Sequence, residues 1–204
     1  MALTCQHRGQ HQSEPIIIVG LTITSNQLQA IAKRCSDDIP TAYFWCSVYA
    51  PQVGLDKEVK VIFWEALDKV VRSIPSSEII FIVGDFNGQI GVLSGGYDDV
   101  HRGFGFSNRN GEGDALLDFV RAFGLVVFNL SFSKKEDYLI TFQSGVAKTQ
   151  IDFQLLRKGN KVICNDCKVM PSEYLSTQHR FLVMDLFIKK RKKSRPRKGQ
   201  PRIK

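Results

Sequence analysis

From Ile79 to Val83 the chain carries five apolar residues in a row, and the next five are Gly84-Asp85-Phe86-Asn87-Gly88. An apolar run of this length, without polar alternation, reads as a buried strand. What ends it admits two readings. Asp and Asn bond their own backbone and Gly tolerates positive φ, so the five residues fit a turn. They also fit a carboxylate and a carboxamide set at the mouth of a site, because sites in α/β proteins gather just beyond strand ends.

The rest of the chain sorts around that strand. PIIIVGL (15–21) has buried-strand length, a weak helix is predicted around Gln27 to Arg34, and TAYFWCSVY (41–49) reads as a strand ended by Ala50-Pro51. Leu55, Val59, Ile62, Ala66, Val70 and Ile74 recur at three- and four-residue steps and predict an amphipathic helix closed by Pro75. A glycine-rich stretch (88–114) follows the central strand, and loops of that length are usually functional or disordered. A second helix presents Ala115, Leu116, Phe119, Val120 and Phe123, with Gly124 as its stop. The remainder reads as strands at 125–129, 138–143, 149–156, 161–170 and 179–188. The order β, α, β, α, β, β, β, β predicts a mixed α/β domain with sheets covered by helices.

Charge separates the body from its end. The net charge is +8, but residues 189–204 hold ten Lys or Arg and no acid, which leaves 18 basic against 20 acidic residues elsewhere, a balance of −2. Such a tail buries too little apolar surface to offset its ordering entropy, and disorder is expected. It fits a solubilising end, a phosphate-seeking arm or a nuclear-targeting signal. Five scattered cysteines form no disulfide framework, and Cys164-x-x-Cys167 lacks the second pair a zinc site needs. The first fifteen residues lack the apolar core of a signal peptide, and no run approaches membrane-spanning length. The expectation is a reduced, intracellular protein without a membrane partner, and no obligate protein partner is evident.

Three further stretches bear on the central one: SVYAPQ (47–52), IDFQLL (151–156) and TQHRFLVMD (177–185). Together with GDFNG, in this order, they resemble the endonuclease/exonuclease/phosphatase superfamily, whose corresponding places read YAPN, GDFN, IDY and SDH. SVYAPQVGLD, FGFSNRNGEG (104–113) and the TQH ending are most similar to endonuclease domains of non-LTR retrotransposons and to craniofacial development protein 2-like proteins. The resemblance covers roughly residues 47–188. It implies a four-layer α/β sandwich, two packed mixed sheets flanked by helices, and metal-assisted hydrolysis of a phosphodiester with DNA, or RNA, as the substrate partner.

By that resemblance Asp85 orients or deprotonates the attacking water, and Asn87 bonds the water or a phosphate oxygen. His179 bonds a non-bridging phosphate oxygen, Asp152 fixes its ring, and Tyr49 sets a hydroxyl near the phosphate. Asn108, Arg109 and Asn110 of the long loop could contact nucleic acid, and Asn110 could equally cap the next helix. Asp85 and Asn87 would be what this chain offers to Mg²⁺. Phe86, between them, is expected to pack on the opposite face.

Two departures qualify that expectation. Gln178 stands where the superfamily has the acid of SDH, a replacement shared by relatives ending in TQH. The early strands, with their Asn and the principal metal-binding Glu, have no counterpart, and Glu14 lies outside any matching context. The expected architecture is therefore a partial sandwich lacking its N-terminal strands: a divergent segment 1–40, a domain 41–188 and a basic tail 189–204. Such a chain would be truncated and weak or inactive alone, or else a non-catalytic nucleic-acid-binding remnant or a phosphoesterase with another substrate.

Overall fold

The structure, a computed structural model, describes residues 33–35, 43–174 and 178–186. The strand read at 15–21, most of the helix read at Gln27 to Arg34, and the basic tail lie outside the described residues; Lys33 and Arg34 are in a strand. Five strands form the main sheet: β1 (Lys33–Cys35), β2 (Tyr43–Tyr49), β3 (Ile79–Asp85), β4 (Leu125–Val127) and, in place between β3 and β4, β7 (Asp152–Arg157). β2 and β3 are parallel, joined by helix α1 (Lys57–Ser73), while the other pairs are antiparallel. Helix α2 (Gly111–Ala122) precedes β4 and stops at Gly124, whose φ is +60°. Short strands β5 (Phe142–Gln143) and β6 (Lys148–Thr149) pair with each other, as do β8 (Cys164–Tyr174) and β9 (Arg180–Leu186). Among the described residues no helix is long and apolar enough to cross a membrane.

β3 shows why its sequence does not alternate. Ile80 and Ile82 enter a core shared with Phe63, Leu67 and Val71 of α1 and Leu116, Leu117 and Val120 of α2. Phe81 and Val83 enter a second core with Trp45, Leu156, Val169, Leu182 and Met184, beneath the β8–β9 hairpin. Both faces are covered, so both demand apolar side chains. The layers run helices, five-stranded sheet, hairpin. These are two packed sheets with helices on one outer face, a part of the expected sandwich.

Several boundaries differ from the pattern reading. The stretch 138–143 is strand only at β5: Tyr138 ends a 3₁₀ turn, Glu136–Tyr138, and 139–141 are irregular. The run 149–156 is two strands, broken at Gln150 and Ile151, where Thr141 Oγ1 accepts the N–H groups of Ile151 and Asp152, 3.1 Å each. A side-chain oxygen takes the place of a neighbouring strand there, which composition cannot reveal. Residues 158–163 are a 3₁₀ segment before β8, and β4 yields to another at Phe128–Leu130. The long glycine-rich stretch is not loose. Arg109 donates to the carbonyls of Ile90, Leu93 and Ser94, and buried His101 bonds Gly91 O and Gly103 N–H, both at 2.8 Å.

Helix α1 gives the clearest correction. Its core side is Phe63, Leu67 and Val71, together with Ile74 of the stripe read from the sequence, whereas Leu55, Val59 and Ile62 of that stripe are exposed. A second apolar row, Phe63, Leu67 and Val71 at four-residue steps, lies beside the one read, and it is the one the sheet receives.

Candidate active site

Register brings three chosen residues together. Tyr49 pairs with Asp85, and Asp85 pairs with Asp152, so adjacent strands β2, β3 and β7 end in a row of polar side chains. All three follow the alternation of the face toward the hairpin. Gly84 makes this junction feasible. Its φ is +151°, and a Cβ there would lie 1.9 Å from the Val48 carbonyl oxygen. Asp85 is 4% exposed and closes β3. Its Oδ1 accepts the N–H of Asn87 at 2.8 Å, and its backbone carbonyl accepts the Ala50 N–H at 2.8 Å.

Asn87 is placed by a turn, not by strand alternation. The strand ends at Asp85, Asn87 has φ +50°, and its Nδ2 donates to the Ala50 carbonyl at 2.7 Å. The turn and site readings of GDFNG therefore coexist: Asn87 makes the turn and holds the loop after β2. Phe86 is buried on the helix side among Phe153 and Trp64, as expected.

His179 arrives from the other sheet. It stands immediately before β9, forms a backbone bridge with Phe142, and sets its ring edge-on to that phenyl group at 5.0 Å. Its Nδ1 lies 3.1 Å from Asp152 Oδ2, and Nε2 lies 4.0 Å from Asp85 Oδ2. The geometry assigns Nδ1–H as the donor to Asp152 and turns Nε2 toward Asp85. Burial, reinforced by the charge of Asp152, pushes the Asp85 carboxyl up to about 7, against the Asn87 N–H and His179. Burial pulls the His179 pKa down, but the Asp152 hydrogen bond and the two carboxylates outweigh it and the net shift is upward. Close groups of this kind take up protons as a set.

Donor atoms of Asp85, Asp152 and His179 lie within 4.8 Å of one another and could share a cation. The carboxylate oxygens suit Mg²⁺, which demands oxygen ligands and retains water. The buried, partly balanced negative charge at Asp85 is a reason for a cation to bind. The cluster contains no glutamate among the described residues.

The remaining expected residues are placed as follows. Tyr49 adjoins Asp85, with its hydroxyl 3.4 Å from the amide nitrogen of Gln52. Asn110 caps α2, accepting the N–H groups of Gly113 and Gln89 at 2.9 Å each. Arg109 is occupied by loop carbonyls and lies 3.5 Å from Asp114, while Asn108 is exposed. Pattern reading missed Thr141 and Phe142, which brace Asp152 and His179. Their one sequence signal is a threonine within an apolar segment.

These layers share their fold with solved domains of the endonuclease/exonuclease/phosphatase type. Solved structures with this fold include the endonuclease domain of TRAS1, a telomere-specific non-LTR retrotransposon (12% identity, TM-score 0.53, 86% of this chain and 62% of that one). Others are the catalytic domain of Xenopus laevis APE2 (15%, 0.54, 74% and 51%) and the 3'-5' exonuclease NExo of Neisseria meningitidis (14%, 0.53, 78% and 69%). In sequence the chain is similar to craniofacial development protein 2 of Tragulus javanicus, 27% identical over 157 residues, and of Bos taurus, 27% over 144. These matches take in 74% and 70% of this chain, which spans about a quarter of each relative's length, 27% and 24%. No protein-family model matches the chain.

Proposed function

We propose that this chain is a metal-dependent phosphodiester hydrolase of the retrotransposon-endonuclease type, acting on DNA and weak on its own. The observation that carries the reading is the convergence of Asp85, Asp152 and His179 from two sheets onto one buried point. A metal ion bound at Asp85, with Asn87 beside it, would supply charge stabilisation at a phosphoryl oxygen. Oδ1 of Asp85 is committed to the Asn87 N–H, so Oδ2 is the oxygen that orients and deprotonates water. Protonated His179 donates Nδ1–H to Asp152, which fixes the ring, and turns Nε2–H toward a non-bridging phosphate oxygen, with Tyr49 alongside. Weakness is expected because the ligand set, among the described residues, lacks the glutamate that the resemblance leads one to expect. The basic run 189–204 adds sequence-independent affinity and a nuclear address, with a salt slope of at most about −9 if all ten charges engage DNA.

The test is nicking of supercoiled plasmid with Mg²⁺, alongside RNA and phosphoinositide substrates. Slow nicking is expected, abolished by chelator and by Asp85→Ala and reduced about 10²- to 10⁴-fold by His179→Ala. Plasmid left intact by the wild type, with DNA binding unaffected by either variant, would overturn the reading in favour of a non-catalytic binder.

A further inference from the structure

Strand β7 carries Asp152 at its first residue, but its outer neighbour does not reach that far. β4 pairs Leu125, Val126 and Val127 with Arg157, Leu156 and Leu155, then turns away as the 3₁₀ segment Phe128–Leu130. In the antiparallel ladder, Asp152 and Gln154 turn their backbone groups to the side β4 has left. One side chain fills the gap. Asn129, 3% exposed, accepts the Gln154 N–H at Oδ1 and donates from Nδ2 to the Asp152 carbonyl, at 3.1 and 3.2 Å. An amide presents one acceptor and one donor at the spacing of a peptide group, so the carboxamide stands in for one more residue of β4. Thr141 Oγ1 covers the next group, the Asp152 N–H.

We infer that Asn129 is a positioning residue: its carboxamide extends the β4–β7 ladder to Asp152 and so fixes the carboxylate that orients His179. The inference rests on the proposed reading of Asp152 and His179 as working groups. It gives a role to a buried polar residue that bonds the Asp152 backbone and not its carboxylate. The alternative, a plain structural asparagine, would stabilise the fold without governing the state of the His179 ring.

Side-chain ¹⁵N–¹H correlation spectra of the histidines separate the two, without requiring turnover. At a pH high enough to keep the ring neutral, wild type should show His179 as a single Nδ1–H tautomer. Asn129→Leu, of similar volume, removes both bonds and should give a mixture of tautomers at His179, leave His101 unchanged, and speed Gln154 amide exchange at least tenfold. Asn129→Asp keeps the acceptor but sets a carboxylate against the Asp152 carbonyl, and it serves if the leucine variant fails to fold. It should mix the His179 tautomers while largely sparing Gln154. Where plasmid nicking is measurable, both variants should lower kcat at least tenfold with KM within twofold. A His179 ring that keeps one tautomer in a folded variant overturns the inference. Absence of nicking by wild type tells against the proposed activity alone, and the spectra still decide the role of Asn129.

Discussion

Asp85 is ionised against its surroundings, and that sets the pH dependence of the protein without metal. Its folded pKa, about 7, is above the ordinary 3.8, so the folded state holds this proton more tightly than the unfolded chain does. The corresponding stability is complete below the unfolded value and is lost as pH rises through about 7. His179, also raised, acts in the same sense and loses its contribution as pH rises above its ordinary 6.5. Asp85→Asn should therefore stabilise the metal-free protein by about 4 kcal/mol at pH 8 and by only about 0.5 kcal/mol at pH 4. Urea unfolding of the two proteins at both pH values measures this. Equal differences at the two pH values would mean that the carboxylate is already compensated. Added Mg²⁺ should raise the Tm of wild type at pH 8 and leave the asparagine variant unmoved.

At the scale of elements, the sequence disclosed some things and hid others, for physical reasons. β3 was legible because a strand covered on both faces needs apolar residues throughout, so the Gly84-Asp85 that ends the run stands out. The pairing of Asp152 with His179 could be anticipated, since a carboxylate inside an apolar strand needs a partner. The buried side of α1 could not be read, because the apolar row Phe63, Leu67 and Val71 lies beside another that includes Val59 and Ile62, and spacing does not say which faces the sheet. Leu67→Ala should cost about 2–5 kcal/mol, whereas Ile62→Lys should stay within about 0.5 kcal/mol. Chemical denaturation of the two variants settles which stripe the core receives. Gly84 belongs to the same scale: alanine there meets the Val48 carbonyl and a positive φ together. Gly84→Ala should cost more than about 3 kcal/mol and displace Asp85, with lost Mg²⁺ stabilisation as the second readout.

For the whole molecule, the decisive fact is that the site straddles two bodies of unequal strength. Asp85 and Asp152 belong to a five-stranded sheet backed by two helices, while His179 stands immediately before β9 of a two-stranded hairpin and bridges to Phe142. A hairpin has little stability of its own and borrows it from packing. Here that packing is Cys167, Val169, Leu182, Met184 and Leu186 against Trp45, Phe81, Val83 and Leu156, with Trp45 and Phe81 stacked at 4.1 Å. The hairpin should thus open as a unit before the sheet unfolds, and each opening should take His179 away from the two carboxylates. Native-state hydrogen exchange should show β8 and β9 amides exchanging through an opening at least about 2 kcal/mol cheaper than that protecting β3 and β7. Leu182→Ala should widen the gap, because it weakens only the borrowed packing. A metal ion held between the bodies should narrow it by favouring the closed form. Protection that is uniform across hairpin and sheet would instead show one cooperative unit, with His179 held as firmly as the strands that carry its partners.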